Sequence, residues 1–288
     1  MITRCAPAAL ALLASIPTLA QSDPEPDRPR DLEPSWWTVR LDAAAYYPAP
    51  SGDLRLPSSG TRGQEIDLSD LNLDSPRVAP LGRLSVQRDR WRFTLGGFGY
   101  AASDRGAFAD EPGQIGGAPF AAGDRLISDL EYQSFELAVS YRVVRHRGEA
   151  NERGVPRLET GVDLIGGLRA HHASFEVRVD PAGAPAAVTE ADADEIFAEP
   201  FLGGRLDLDF ARTFGIEVES TIGGFTTGDR TSISFTIGPA FVYRPIPSVG
   251  LKIGYHMEVV DLSDDDGADE FAWRGSLAGL YWGVQVSF

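Results

Sequence analysis

The stretch Leu277-Ala-Gly-Leu280-Tyr-Trp282-Gly-Val284-Gln-Val286-Ser-Phe288 decides the fold. Counting back from Phe288, every second residue down to Leu280 is apolar, which is the period of a β-strand with one apolar face. Soluble chains usually end in a few polar, loosely held residues, whereas this alternation continues to an aromatic residue. The pattern predicts a strand whose apolar face needs nonpolar surroundings.

Similar alternation recurs along the chain and predicts about ten strands, each long enough, at roughly 9 to 11 residues, to cross a membrane at a tilt. In the first, Leu41 and Tyr47 share one face with other apolar residues, and Arg40 and Asp42 share the other. The predicted strands are Trp36 to Tyr47, Ala79 to Arg88, Trp91 to Ala101, Asp129 to Val144, Arg157 to Ala170, Glu199 to Phe210, Thr213 to Phe225, Thr231 to Tyr243, Val249 to Val260 and Phe271 to Phe288.

The connections between these strands alternate in length. Long excursions, residues 48–78, 102–128 and 171–198, and shorter ones, 226–230 and 261–270, follow the odd strands, and tight turns follow the even ones. A meander closed into a barrel produces this asymmetry, and the crossovers of a β-sandwich do not. The sequence therefore predicts an all-β, antiparallel up-and-down transmembrane β-barrel of about ten strands, with eight or twelve as alternatives.

The terminal strand resembles that of bacterial outer-membrane β-barrel proteins, whose last residue is typically Phe. The resemblance implies an outer membrane of the Gram-negative type and lipid as surroundings. It also implies that Trp282, Val284, Val286 and Phe288 form the signal recognised by the barrel-insertion machinery.

The amino terminus predicts export. Arg4 and an apolar run from Ala8 to Leu19 are typical of a signal peptide, residues 1–20. A flexible lead segment, residues 21–35, and a barrel domain, residues 36–288, are expected to follow. The single cysteine, Cys5, lies in the predicted signal, so no disulfide is expected in the mature chain.

The charge of the chain disfavours nucleic acid as a partner and favours cations. The formal net charge is −16, and Lys252 is the only lysine. Residues 171–198 and 261–270 each contain six acidic residues, whereas the short turns are rich in arginine. We expect the acidic loops to face outwards, both termini to be periplasmic, and divalent cations to be partners at the external loops.

The strand faces that do not meet lipid carry interleaved charges of both signs. Buried charges persist when they pair, so the sequence predicts a lumen that is plugged by its own side chains and needs no cofactor; a thin polar conduit is the alternative. The predicted interior charges are Arg40, Asp42, Arg83, Glu136, Arg142, Glu159, Asp163, Arg169, Arg205, Asp207, Asp209, Glu217, Glu219, Lys252, His256 and Glu258.

Two patterns suggest chemistry. His172-Ala-Ser174 is similar to the His-x-Ser element of the outer-membrane lipid A deacylases, which implies a Ser–His–Glu site on the outer wall, with Glu176 or Glu190 as the candidate Glu. The alternative is a pair of solvated loop histidines, His171 and His172. The Asp-x-His element of omptin-like proteases does not occur.

The acidic residues Asp264, Asp265, Asp266 and Asp269 are a candidate for loose divalent-metal binding. An EF-hand is excluded, because Leu262 and Trp273 occupy positions where that motif requires ligands.

These patterns favour a structural or surface-interaction barrel with minor, porin-like passage of small solutes. An outer-membrane enzyme of the deacylase type and a soluble secreted β-sandwich stay open as alternatives.

Overall fold

The computed structural model describes residues 37–58, 64–151, 155–182, 189–265 and 270–288. The expected signal peptide and lead segment lie outside these residues. The strands are β1 (Thr38–Arg55), β2 (Ile66–Asp67), β3 (Ala79–Arg88), β4 (Trp91–Phe108), β5 (Gly113–Ile115), β6 (Ala118–Phe120), β7 (Arg125–Arg147), β8 (Leu158–Asp180), β9 (Thr189–Phe210), β10 (Phe214–Thr227), β11 (Arg230–Ile246), β12 (Val249–Asp264) and β13 (Phe271–Ser287).

Ten of these strands are long, and each pairs antiparallel with its chain neighbours in the described part of the molecule. The last, β13, pairs with β1 through a continuous register that includes Leu41 opposite Val286, so the sheet closes. This confirms the predicted ten-stranded antiparallel barrel. A single closed sheet excludes the two-sheet sandwich.

None of the described residues forms a helix long and apolar enough to span a membrane.

Eight strands are longer than predicted, and the largest extensions lie at the end with the long connections, which we call the upper end. β8 runs to Asp180 rather than Ala170, and β9 begins at Thr189 rather than Glu199. β1, β4 and β7 are extended in the same way. The predicted excursions 48–78, 102–128 and 171–198 are therefore partly strand, and this part of the sequence prediction was wrong.

The reason is a change in which face is apolar. In the lower half, apolar side chains such as Leu137 and Leu164 point outwards and are exposed, and a belt of them surrounds the barrel. In the upper half the apolar residues point inwards: Phe175, Val177 and Val179 of β8 are buried, while Arg178 between them is exposed. The upper barrel is thus polar outside and apolar inside, as a water-exposed barrel must be.

The segment after β2 contributes to this upper core. Leu68, Leu71 and Leu73 are fully buried in the same cluster as Phe175 and Trp273. Backbone bonds fix the segment to the wall, with Leu68 N donating to Gly52 O at 3.0 Å. The barrel mouth is closed by this apolar plug.

Candidate functional site

The lower lumen is crossed by ion pairs, and Glu219 lies at their centre. Arg83 of β3 donates one hydrogen bond from each of its terminal nitrogens, Nη1 and Nη2, to the Glu219 carboxylate of β10, each at 3.0 Å. Arg205 donates to the same carboxylate at 2.8 Å, and Arg83 also reaches Glu136 at 2.9 Å. Since β3 and β10 are five strands apart in a ring of ten, the Arg83–Glu219 pair spans the barrel diameter.

A second ion cluster lies against β8 and β9. Arg142 donates to Asp163 at 2.6 and 3.2 Å and also bonds Asp207. Arg92 donates to Asp207 at 3.3 Å and lies 3.6 Å from Asp163. Two guanidinium groups therefore neutralise two carboxylates that burial would otherwise destabilise.

Glu217 anchors a third cluster. It accepts a hydrogen bond from Lys252 at 2.7 Å and from Arg40 at 3.1 Å. Lys252 also lies 3.6 Å from Asp42, and Arg244 binds Asp209. The only lysine of the chain thus pairs inside the lumen.

A buried network around His171 separates the charged layer from the apolar plug. His171 Nδ1 lies 2.7 Å from the Tyr132 hydroxyl and 3.5 Å from Glu258, and its Nε2 lies 3.3 Å from Glu199. Ser134 donates to Glu258 across the barrel diameter at 3.1 Å. Every one of these side chains is at least nine-tenths buried.

Arg169 joins this network to the first cluster. It donates to Ser234 at 2.8 Å, to Thr221 at 2.9 Å and to Glu136 at 3.3 Å. Its guanidinium also lies 4.6 Å from the centre of the Phe201 ring, within cation–π distance.

The free space left in the lower lumen is a cavity of about 80 Å³. Asp42 Oδ1 and His256 Nε2 both belong to lining residues and have no hydrogen-bond partner in the described structure. A polar cavity of this size holds a few water molecules, and the apolar plug lies above it.

All sixteen charged residues expected inside the barrel lie on inward-facing strand positions. Fifteen of them belong to the lumen clusters or line the cavity, and Asp209 joins its cluster through Arg244. Asp209 and Glu159 lie towards the lower rim, where Glu159 accepts from Arg145 at 2.8 Å.

Sequence reasoning missed three members of the lumen: Arg92, Glu199 and His171. Arg92 and Glu199 lie at or near predicted strand ends and were left unassigned. The interpretation of His171 as a solvated loop residue was wrong, because β8 continues through it and turns its side chain inwards. Alternation carried beyond Ala170 would have identified it.

His172 and Ser174 are the outward neighbours of His171 on β8. His172 Nε2 lies 2.6 Å from Asp194 Oδ1 of β9, and Ser174 is directly opposite Asp194 in the strand register. The nominated acids Glu176 and Glu190 both pair with Arg178 instead. The structure thus places a serine, a histidine and an acid on one patch of the outer wall, where His172 contacts Asp194, an acid that sequence reasoning did not select.

The acidic metal candidate is only partly described. Asp264 lies 2.8 Å from Arg230 Nε, and Asp265 donates its backbone N–H to Asp229 O. Asp266 and Asp269 lie outside the described residues. Within the described ranges, no group of three or more histidine, cysteine or acidic side chains is arranged to hold a metal ion.

The residues of the expected insertion signal lie on the outward face of β13, next to β1. Trp282 and Val284 are exposed in the apolar belt. Phe288 exchanges backbone hydrogen bonds with Val39 at 2.9 and 3.2 Å.

No protein-family model and no curated protein matches the chain. Similar solved structures include the outer-membrane protease OmpT of Escherichia coli, with 9% identity over 87% of this chain and 97% of that chain and a TM-score of 0.46. Neisserial surface protein A is 13% identical over 88% of this chain and 97% of its own chain, with a TM-score of 0.32. The protein Ail of Yersinia pestis, solved in complex with a heparin analogue, is 11% identical over 87% of this chain and 99% of its own chain, with a TM-score of 0.34. These likenesses carry no argument about function.

The described residues themselves define the architecture. Closed antiparallel pairing satisfies the backbone without water, and an apolar belt faces outwards around a charged lumen. This is the architecture of an outer-membrane β-barrel protein, as the terminal strand implied.

Proposed function

We propose that this protein is a non-conducting outer-membrane barrel with periplasmic termini that serves a structural or surface-interaction role. The observation that carries the proposal is the bidentate Arg83–Glu219 pair across the barrel diameter. The apolar plug around Leu68 and Leu71 lies above it. Solute would have to displace both layers.

The outer wall of the upper barrel supports a surface role. Its outward side chains on β7, β8 and β9 include seven carboxylates, against the two arginines Arg125 and Arg178: Asp129, Glu131, Glu176, Asp180, Glu190, Asp192 and Asp194. Such a wall favours cationic partners, divalent cations included.

Conductance in planar lipid bilayers tests the closed lumen. We expect purified, refolded protein to give no steady current, while its compact form resists SDS until boiled. A stable and reproducible conductance from the folded protein would show that the lumen is open.

A second candidate function is ester hydrolysis on the outer wall, and the 2.6 Å contact between His172 and Asp194 favours it. Asp194 would orient the imidazole, and His172 would accept the Ser174 hydroxyl proton as Ser174 attacks an ester carbonyl. The alcohol leaves with that proton, and water then releases the acid from the serine. Ser174 lies just above the apolar belt, where lipid ester groups are found.

Lipid hydrolysis by the refolded protein tests this candidate. We expect release of a fatty acid from an outer-leaflet lipid, lost in Ser174→Ala and reduced in Asp194→Asn. The matched control is Ser276→Ala, since Ser276 is also an upper-wall serine but has only Ser51 as partner. Activity that persists in Ser174→Ala excludes this site.

A further inference from the structure

The barrel wall splits between β9 and β10. Their ladder ends at Phe201 opposite Gly223, although β9 continues upwards to Thr189 and β10 to Thr227. In the described part of the chain, the upper β9 pairs only with β8. The next register position would place Pro200 opposite Gly224, and proline has no N–H to donate.

The other place where upper strands separate is filled by the chain itself. Between β1 and β4, Arg77 N donates to Pro48 O at 3.3 Å, and the Tyr100 hydroxyl donates to Ser75 O at 2.9 Å. Between β9 and β10 the described residues supply no such segment. Instead, side chains on the inner side of the wall connect β9 with β11: Ser232 of β11 donates a hydrogen bond to Glu199 of β9 at 2.8 Å.

An apolar groove lies at the foot of this split on the outer wall. Pro200, Leu202, Ile222 and Gly224 line it, and Phe201 and Gly223 form its floor. The groove has no charged lining residue. A Cβ on Gly223 would lie 2.3 Å from the Glu199 carboxylate, so the floor is closed towards the lumen.

The groove is continuous with the lipid-facing belt. Leu202 and Ile222 are 70% and 63% exposed, compared with 62%, 59% and 58% for Leu168, Leu164 and Leu137 elsewhere in the belt. The wall therefore leaves more apolar surface uncovered here. At this depth the groove can be covered only by hydrocarbon, because water next to a nonpolar surface inside a bilayer is unfavourable.

We propose that this groove binds one acyl chain of a membrane lipid, seated on the Leu202–Ile222 pair with its end on Gly224. Because Gly224 has no side chain and the ladder stops next to Pro200, the outer wall is recessed just above the Leu202–Ile222 pair. The site is independent of the proposed hydrolase, although both lie on the outward face of β9.

Photo-crosslinking tests the site. The full chain is refolded into phosphatidylcholine vesicles that contain phosphatidylcholine with a diazirine on its acyl chain, irradiated and digested, and adducts are mapped by mass spectrometry. We expect severalfold more adduct on peptides with residues 200–202 and 222–224 than on the lipid-facing residues 251–255. Uniform labelling around the wall would overturn the proposal.

Two glycine variants make the test specific. Gly224→Trp should fill the groove and remove the excess adduct, because an added Cβ meets no atom closer than 3.7 Å. Gly82→Trp is the matched control, since Gly82 also faces lipid and its Cβ would meet nothing within 4 Å. Excess labelling that survives in Gly224→Trp contradicts the proposal. Leu202→Trp, which narrows the mouth, replaces Gly224→Trp if that variant fails to refold.

Ser174→Ala separates the groove from the proposed hydrolase. We expect its adduct pattern to equal that of the unmodified protein. An excess that disappears in Ser174→Ala would mean that the label reports the serine and not the groove.

Discussion

At the residue scale, the stability of the lumen depends on how many partners each charge has. Glu219 pairs with both Arg83 and Arg205, so its removal leaves the buried Arg205 guanidinium without an ion-pair partner among the described residues and leaves Arg83 with Glu136 alone. Arg205 can be removed with less effect, because Arg83 still holds Glu219. The expected loss of stability at the two positions therefore depends on the number of partners that each charge has, and not on burial alone.

We therefore expect Glu219→Ala to lose about 3 to 5 kcal/mol of unfolding free energy, as is typical when a buried charge loses its partner, and Arg205→Ala to lose less. Arg145→Ala is the control: its pair with Glu159 lies at the rim and is partly exposed, so about 0 to 1 kcal/mol is expected. Urea unfolding of refolded protein in lipid vesicles measures all three. Equal losses of unfolding free energy in Glu219→Ala and in Arg145→Ala would mean that water screens the lumen charges.

Asp124 illustrates a charge outside the membrane. The backbone N–H of Ala121, at 2.7 Å, and that of Ala182, at 3.0 Å, donate to its carboxylate and hold the pKa of Asp124 below its usual range. A lowered carboxyl pKa stabilises the loop above the ordinary value, about 3.9, and this stabilisation is lost as the pH falls through the folded value.

We expect amide hydrogen exchange at Ala121 and Ala182, corrected for intrinsic rate, to accelerate below about pH 4, near the ordinary pKa of Asp. Asp124→Asn should remove the pH dependence. An unchanged acid response in that variant would show that other groups control the loop.

At the element scale, the reversal of the apolar face explains what could be predicted. In the lower half, exposed residues such as Leu95, Leu137 and Ile253 alternate with charges, and the sequence identified the strands and their inward side. Above the belt, Phe175 and Val177 alternate in the opposite phase. A search for one continuous lipid-facing stripe therefore ends each strand too early, at Ala170 in β8.

The outer-wall site shows the same limit. His172 and Ser174 could be selected because they are close in sequence, but Asp194 comes from the next strand. Its position depends on the β8–β9 register, which places Ser174 opposite Asp194. That register follows from the extended hairpin, which the sequence did not predict.

Three substitutions on β7 test the reversal. Leu137→Arg, on the lipid-facing side, should cost about 2 to 4 kcal/mol, whereas Gln133→Arg, outward but above the belt, should stay within about 0.5 kcal/mol. Leu130→Ala removes an inward side chain that is 2% exposed and should cost about 2 to 5 kcal/mol. Unfolding free energies in lipid vesicles give the ranking. Similar costs for Leu137→Arg and Gln133→Arg would contradict the placement of the belt.

At the scale of the whole molecule, the barrel has two seals in series. The lower is ionic and depends on pairs such as Arg83–Glu219, and the upper is apolar and includes Leu68, Leu71 and Trp273. The two differ in physical origin, so salt that screens one leaves the other intact. The ring of backbone pairing holds the wall independently of both.

Because the seals act in series, breaking either one should leave the barrel closed. We expect Glu219→Ala, and separately Leu68→Ser with Leu71→Ser, to give no steady current in planar bilayers, and the combined variant to conduct. The open form should favour anions, because Arg83 and Arg205 then face the lumen without Glu219. Heat-modified mobility on gels confirms that each variant is folded. Conductance from either variant alone would mean that one layer closes the barrel by itself. A preference for cations in the combined variant would mean that the current bypasses these arginines.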